Sequence, residues 1–97
     1  MPNDLPEVQH SAAHSRYEVT IDGQRSLIQY RMRGDTIVFL HTEVPPALEG
    51  RGIAGHMARF ALDDARARGL SVMPQCPFVA SYIRRHPEYQ DLVRGAA

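Results

Sequence analysis

Apolar and polar residues alternate along two stretches in the first third of the chain. Residues 16–22 carry an apolar side chain at every second position, and residues 26–33 repeat the alternation. This pattern is typical of strands with one buried face. The turn signals Asp22-Gly23 and Gly34-Asp35 follow the two stretches. The pattern therefore predicts two antiparallel strands, each ending in a tight turn.

A third stretch, residues 36–44, is apolar on both faces, which indicates a central strand covered on both sides. With the first two strands it would form an antiparallel meander. His41 and Glu43 share one face at its end. Pro45-Pro46 stops the strand because neither proline has an N–H to donate. The backbone groups left unpaired there could bind an extended, amide-bearing ligand.

A glycine-rich turn at residues 50–55 leads into a long helix. Apolar residues recur at helical spacing to about Arg68, and Gly69 is a typical C-terminal stop. Unpaired amide groups at the positive end of a helix dipole bind phosphate, so this turn is predicted to be a phosphate seat. The buried stripe of the helix is predicted to comprise Ile53, Met57, Phe60, Ala61 and Ala65.

After the helix, residues 70–73 form a short apolar stretch. A strand–helix–strand connection predicts that this strand is parallel to residues 36–44. Pro77 favours a first helical position, which makes Cys76 the N-cap of a helix over residues 77–85. The helix dipole stabilises a thiolate at that position. Because ligands bind at the carboxyl ends of strands in such crossovers, we expect Cys76 on the same edge as the glycine turn.

Residues 50–55 also fit two nucleotide-binding patterns, and neither is complete. The dinucleotide pattern G-x-G-x-x-G requires an acidic residue about 20 positions further on, after a second strand. Here that strand is followed by Pro74, Gln75 and Cys76. The phosphate loop of nucleotide hydrolases requires lysine and then serine or threonine, where this chain has His56-Met57.

Composition narrows the partners of the protein. Its 97 residues fit one domain, which we place over residues 16–97 after a flexible polar tail at residues 1–15. Eleven basic and eleven acidic side chains cancel, which argues against a nucleic-acid partner. A single cysteine and the lack of a long apolar run favour a cytoplasmic protein without a membrane partner. His10 and His14 lack further ligands, so no metal site is expected.

Two longer segments resemble a known family. The string E-G-R-G-I-A resembles the Q/R-x-x-G-x-G/A signature of GNAT N-acetyltransferases, with Gly52 and Ala54 at its last two fixed positions and Glu49 in place of glutamine or arginine. HTEVPPALEGRGIAG and CPFVASYIRRHPEY together are similar to the small stand-alone GNAT-like domains. The resemblance runs from about Tyr17 to Val93.

The resemblance implies an α+β fold of the short GNAT type, with a three-stranded antiparallel meander, a long helix, a parallel strand and a C-terminal helix. It also implies acetyl-CoA as the acetyl donor and CoA as the product. The pantetheine arm would lie beside Glu43 and Val44. Arg84 and Arg85 are candidates for contact with CoA phosphates, although arginines at a helix end are usually solvated. The diphosphate would lie on the amides of Arg51, Gly52, Ile53, Ala54 and Gly55.

Four residues are candidates for the chemistry. His41 or Glu43 could deprotonate an attacking amine, or merely line the strand end. Cys76 could accept the acetyl group, line the thioester pocket, or be a small buried hydrophobe. Tyr82 is placed like the tyrosine that many GNAT enzymes use to protonate the CoA thiolate, and its alternative is core packing.

Transfer to an amine could therefore be direct or pass through an acetylated Cys76. The acceptor would be a small-molecule or protein amine, and the protein a monomer or weak homodimer. The competing hypothesis is a catalytically inactive acyl-CoA-binding or protein-interaction module.

Overall fold

The computed structural model describes residues 5–93. A β-sheet carries two α-helices, and three short 3-10 helices connect the elements. The strands are β1 (Gln9–Ser11), β2 (Arg16–Ile21), β3 (Gln24–Arg33), β4 (Thr36–Glu43) and β5 (Ser71–Pro74). The helices are α1 (Ile53–Ala67) and α2 (Pro77–Arg85), with 3-10 turns at Ala12–His14, Pro46–Leu48 and Pro87–Leu92.

The sheet has the strand order β1-β2-β3-β4-β5. Neighbours from β1 to β4 are antiparallel, and β5 is parallel to β4 after the crossover through α1. The α+β fold, the meander and the parallel last strand are confirmed. Among the residues described, no helix is long and apolar enough to cross a bilayer.

The start of the chain departs from the prediction. The predicted flexible tail covers residues 1–15, of which residues 1–4 lie outside the described range, but Gln9–Ser11 pairs with β2 as a fourth antiparallel strand. Val8 is buried in the core, and the His10 imidazole stacks on Tyr17 with ring centroids 4.3 Å apart. A three-residue strand is too short to show an alternating pattern. Contacts with distant residues place it, and these are not visible in the local sequence.

The core lies between the sheet and α1. The predicted buried stripe of α1 is confirmed at four of its five positions. The prediction that Phe60 is buried is wrong, because its side chain is 40% exposed. Phe60 instead meets the edge of the Tyr17 ring, with centroids 6.0 Å apart. Ala58 and Leu62, both fully buried, complete the stripe. The helix thus presents a face rotated slightly from the one predicted.

A bulge in β4 determines which side chains face the core near its end. Gln29 pairs with His41, but the next residue, Tyr30, pairs with Phe39, so Leu40 has no partner on β3. An extra residue in one strand reverses the alternation beyond it. Thr42, which pairs with the buried Ile28, therefore lies on the core side.

The two parallel strands separate after a short paired segment. Their pairing ends at Phe39 and Pro74, and the backbone N–H of Cys76 then donates to the carbonyl of Phe39 at 2.8 Å. Beyond this point the end of β4 pairs with β3 alone. The separation leaves an opening between the end of β4 and the start of α2.

Candidate functional site

The opening at the end of β4 contains a cavity of about 520 Å³. It is open to solvent and has both apolar and charged walls. The residues that line it are Arg25, Thr42, Glu43, Val44, Pro45, Pro46, Glu49 and Phe78. Its position confirms that the carboxyl end of β4 forms a concave surface.

A second cavity, of about 220 Å³, lies against the glycine turn. It shares Val44, Glu49 and Phe78 with the first cavity, so the two form one groove. Four of the residues predicted to hold a diphosphate are in its wall. They are Gly52, Ile53, Ala54 and Gly55.

The first turn of α1 is open to a ligand. Gly52, its N-cap, has a left-handed backbone and no side-chain cap. The first helical hydrogen bond runs from the His56 N–H to the Gly52 carbonyl at 3.0 Å, so the amides of residues 53–55 precede it. A Cβ atom added at Gly50 or Gly52 would meet no atom of residues 5–93 within 4 Å. Within that range, no side chain blocks the predicted phosphate seat from this side.

Cys76 is buried next to the first cavity but is not among the residues that line it. It is the N-cap of α2 with Pro77 at the first helical position, and it is only 2% exposed. Its Sγ atom lies 3.0 Å from Thr42 Oγ1, within hydrogen-bonding distance. Thr42 also lines the first cavity, so it links the thiol to the groove.

Thr42 is a site residue that the sequence reasoning missed. Its neighbours His41 and Glu43 are predicted site residues because their side chains are titratable. A threonine in a strand ordinarily has a structural role. Only the bulge at Leu40 turns the Thr42 hydroxyl towards Cys76.

His41 and Glu43 form a pair on the opposite face of β4 from Thr42. His41 Nε2 and Glu43 Oε2 are 2.7 Å apart, and both side chains are more than half exposed. Glu43 lines the first cavity, whereas His41 is not in its wall. Of the two predicted bases, Glu43 is thus the one in position to meet a ligand directly, with His41 behind it.

Tyr82 is separated from the other catalytic candidates. Its ring stacks on His86 with centroids 3.8 Å apart, and burial raises the pKa of its phenol, an effect that the positive charge of Arg59 partly offsets. It lines a third cavity, with Arg51, Gly52 and Gly55 among its neighbours. The structure therefore places Tyr82 by the glycine turn rather than in the cavity next to Thr42.

Neither arginine at the end of α2 lines a cavity beside the glycine turn. Arg84 lines a separate cavity with Pro74, Ile83 and Val93, and Arg85 is exposed in the last turn of the helix. Arg59, on α1, lines the same cavity as Arg51 and was not predicted. Within residues 5–93, no three histidine, cysteine or carboxylate side chains converge on a position for a metal ion.

Comparison with known proteins identifies the family. A family model described as GCN5-related N-acetyl-transferase matches residues 16–92. Protein NATD1 of Mus musculus is 37% identical over 90 residues, which cover 90% of this chain and 82% of that protein. Protein NATD1 of Homo sapiens is also 37% identical over 90 residues, covering 80% of its length.

A solved structure has the same fold. The NMR solution structure of a GCN5-like protein from Staphylococcus aureus superimposes with a TM-score of 0.73, at 23% identity, over 100% of this chain and 94% of that one. The resemblance seen in the sequence is thereby confirmed. Since the family model covers most of the chain and the relatives align over nearly all of it, this protein belongs to the GCN5-related N-acetyltransferase family.

Proposed function

We propose that this protein transfers an acetyl group from acetyl-CoA to an amine, in the groove formed by the first two cavities. The observation that carries the proposal is the continuity of that groove. It joins the open amides of the glycine turn to the cavity beside Thr42 and Cys76 through shared walls at Val44 and Phe78. A long thioester with a diphosphate towards one end requires such a path.

Each part of the donor has a matching surface. The diphosphate would lie on the amides of residues 51–55, where the helix dipole is positive. The pantetheine amides would pair with backbone groups near Glu43 and Val44, where β4 has lost β5 as a partner. The thioester would then lie towards Thr42 and Cys76. The acceptor would enter through the solvent-open side of the first cavity, where Glu43 lies.

In the direct route, Glu43 accepts a proton from the ammonium of the acceptor, and His41 is hydrogen-bonded to Glu43. The amine nitrogen attacks the thioester carbonyl carbon. The carbon–sulfur bond to CoA breaks, and its electron pair leaves on the CoA sulfur. The new amide nitrogen loses its second proton to solvent, and the CoA sulfur takes a proton from solvent. Tyr82 lines a different cavity, so solvent is a better proton source for that sulfur than its phenol.

In the two-step route the Cys76 thiolate attacks first, after its proton has left to solvent. A carbon–sulfur bond forms to Sγ, and the bond to the CoA sulfur breaks. The amine then attacks the new thioester and regenerates the thiol. The hydrogen bond from Thr42 would stabilise the attacking thiolate.

The test combines calorimetric titration of acetyl-CoA and CoA with intact-mass analysis after incubation with acetyl-CoA. We expect saturable binding and one added acetyl group, which Cys76→Ser abolishes while binding remains. Full turnover of an amine by Cys76→Ser would leave only the direct route. Absence of binding by the wild-type protein would refute the proposal as a whole.

Glu49 favours the competing function, a CoA-binding module without turnover. Its carboxylate lines both cavities of the groove, at the position where the family signature has glutamine or arginine. A negative charge near a diphosphate weakens binding. Glu49→Gln should therefore tighten acetyl-CoA binding. Tight binding without acetylation of any amine in a broad panel, including a lysine-rich peptide, would support the module over the enzyme.

A further inference from the structure

We propose that the acceptor in the first cavity is an amino acid, whose carboxylate is bound by Arg25 while its amine faces Glu43. This inference rests on the proposed function, because it names the class of amine that the transferase acetylates. The products are an N-acetylated amino acid and CoA. The bonds that form and break are those of the direct route, and the acceptor carboxylate is unchanged. Arg25 and Glu43 both line the cavity.

The strand register places Arg25 and Glu43 on the same face of the sheet. Leu27 pairs with Glu43, and Arg25 precedes Leu27 by two residues on β3. Side chains two residues apart on a strand lie on one face of a sheet, as do those of directly paired residues. Arg25 and Glu43 are therefore diagonal neighbours, a separation that long side chains can span. A cation and an anion thus border the same side of the cavity.

The Arg25 guanidinium is held only loosely by the protein. Its side chain is 51% exposed, and within residues 5–93 its one ion pair joins Nε to Glu18 Oε1 at 3.9 Å. The same oxygen accepts a hydrogen bond from Arg16 Nε at 2.5 Å. Two cations thus share one carboxylate oxygen, and the contact of Arg25 is the longer one. A ligand carboxylate could bind the other N–H groups of Arg25 without displacing a close ion pair.

The end of the β3–β4 pairing leaves space beside Arg25. The last pair of the two strands at this end is Leu27 and Glu43, and β4 is followed by prolines and a 3-10 turn at Pro46–Leu48. Arg25 pairs with Thr20 of β2 on one side and lines the cavity on the other. The guanidinium therefore borders the gap that the end of β4 leaves, where a small acceptor can enter from solvent.

The charges of the groove separate the acceptor carboxylate from the diphosphate of the donor. Arg25 lines the first cavity but not the second, which lies against the glycine turn. Glu49 lines both, so its negative charge lies where the two cavities meet. A carboxylate on the acceptor is attracted by Arg25 and repelled by Glu49, and an ammonium is attracted by Glu43. An amino acid is therefore oriented by both of its charges, whereas a simple amine lacks the contact with Arg25.

The test is acetylation by the full chain of amino acids and of the amines that remain when their α-carboxylate is removed. The pairs are alanine and ethylamine, phenylalanine and phenethylamine, and lysine and cadaverine, with the acetylated products measured by mass spectrometry. The two members of a pair also differ in intrinsic reactivity. The quantity compared between protein variants is therefore the ratio of kcat/KM for the amino acid to kcat/KM for its amine.

The variants are Arg25→Ala and Arg25→Lys. Arg33→Ala, which changes an exposed arginine at the other end of β3, is the matched control. We expect the wild type and the control to prefer the amino acids, and Arg25→Ala to lower the ratio about tenfold. Arg25→Lys should restore part of it, because lysine keeps the charge but not the two parallel hydrogen bonds. The KM for acetyl-CoA should be unchanged in both Arg25 variants.

The outcomes separate this inference from the proposed function. If the wild-type protein acetylates the amines or a lysine-rich peptide at least as well as the amino acids, only this inference is overturned. The same holds if Arg25→Ala and Arg33→Ala give equal ratios. If acetyl-CoA binds but no compound is acetylated, the proposed transfer and this inference both fail.

Discussion

Two glycines at the start of α1 should respond in opposite ways to the same added methyl group. Gly52 has φ +76°, and a Cβ built on it would meet nothing within 4 Å in the described part of the chain. The cost of Gly52→Ala is therefore a backbone cost, about 1–2 kcal/mol for an L-residue held in the left-handed region. An alanine can avoid that cost only by rotating the peptide units that present the amides of residues 53–55.

Gly55 lies within the helix, and its backbone is in the ordinary region. Its added Cβ would lie 3.7 Å from the Tyr82 ring, an ordinary van der Waals contact. Gly55→Ala should therefore stabilise the fold by about 0.5–1 kcal/mol through helix propensity. Since each kcal/mol moves the midpoint of thermal unfolding by about 5 °C in a domain of this size, the variants should differ by about 7–15 °C.

The measurement is thermal and urea unfolding of both variants, followed by titration with acetyl-CoA. Both should bind acetyl-CoA more weakly, Gly52→Ala because the amides turn away and Gly55→Ala because its methyl group enters the walls of the second and third cavities. If the stabilised variant Gly55→Ala binds acetyl-CoA more weakly, the weaker binding cannot be attributed to a loss of folding stability. A Gly52→Ala protein as stable as the wild type would refute the left-handed N-cap. A Gly55→Ala protein that binds acetyl-CoA as tightly as the wild type would show that the ligand does not bind at this turn.

Three further predictions concern other contacts. Thr42→Val should slow alkylation of Cys76 by iodoacetamide near neutral pH by about three- to tenfold, because a hydroxyl donor stabilises the thiolate. Thr42→Ser should restore the rate of the wild-type protein. Equal alkylation rates in all three proteins would contradict this prediction. Tyr17→Phe should lower the free energy of unfolding by about 1.5–3 kcal/mol in urea titrations, since the buried Tyr17 hydroxyl donates to the Asp64 carboxylate at 2.7 Å. Burial lowers the pKa of His10 below 6.5, so the unfolded chain binds a proton that the folded one resists. The free energy of unfolding should thus fall as the pH decreases from about 6.5. Urea titrations of the His10→Gln variant over the same pH range should not show this fall.

Most of the fold could be predicted because its signals are local. The alternating stretches, the turns that end them and the helical spacing of α1 each lie within a short window of sequence. The errors occur where distant contacts decide. The strand at Gln9–Ser11 is held by the hydrogen bond between His10 and Tyr30 and by the stack of His10 on Tyr17, twenty and seven residues further on. Phe60 fits the helical stripe, and only the way α1 sits on the sheet shows that it is exposed.

The site could be predicted in part for the same reason. Cys76 comes two residues after the end of β5, and Pro77 marks the helix start, so its position as the N-cap of α2 could be predicted from the local sequence. The position of Tyr82 depends on how α2 packs against α1. A short stretch of sequence does not predict that packing. Its ring consequently lies by the turn, in a cavity that Arg59 from α1 also lines. Arg84, which is predicted to contact CoA phosphates, lines a different cavity.

The bulge residue Leu40, which has no partner on β3, determines which side chains at the end of β4 face the core and which face solvent. Without the bulge at Leu40, strict alternation would put His41 and Glu43 on the same side as the core residues Ile37 and Phe39. Two titratable side chains would then be forced into an apolar layer, at a cost of several kcal/mol. The bulge sends them outwards as a hydrogen-bonded pair and turns Thr42 inwards to Cys76. The strand end therefore offers a carboxylate at the solvent-open side and a hydroxyl–thiol pair at the buried side, and the proposed acetyl transfer would use the first for the amine and the second for the thioester.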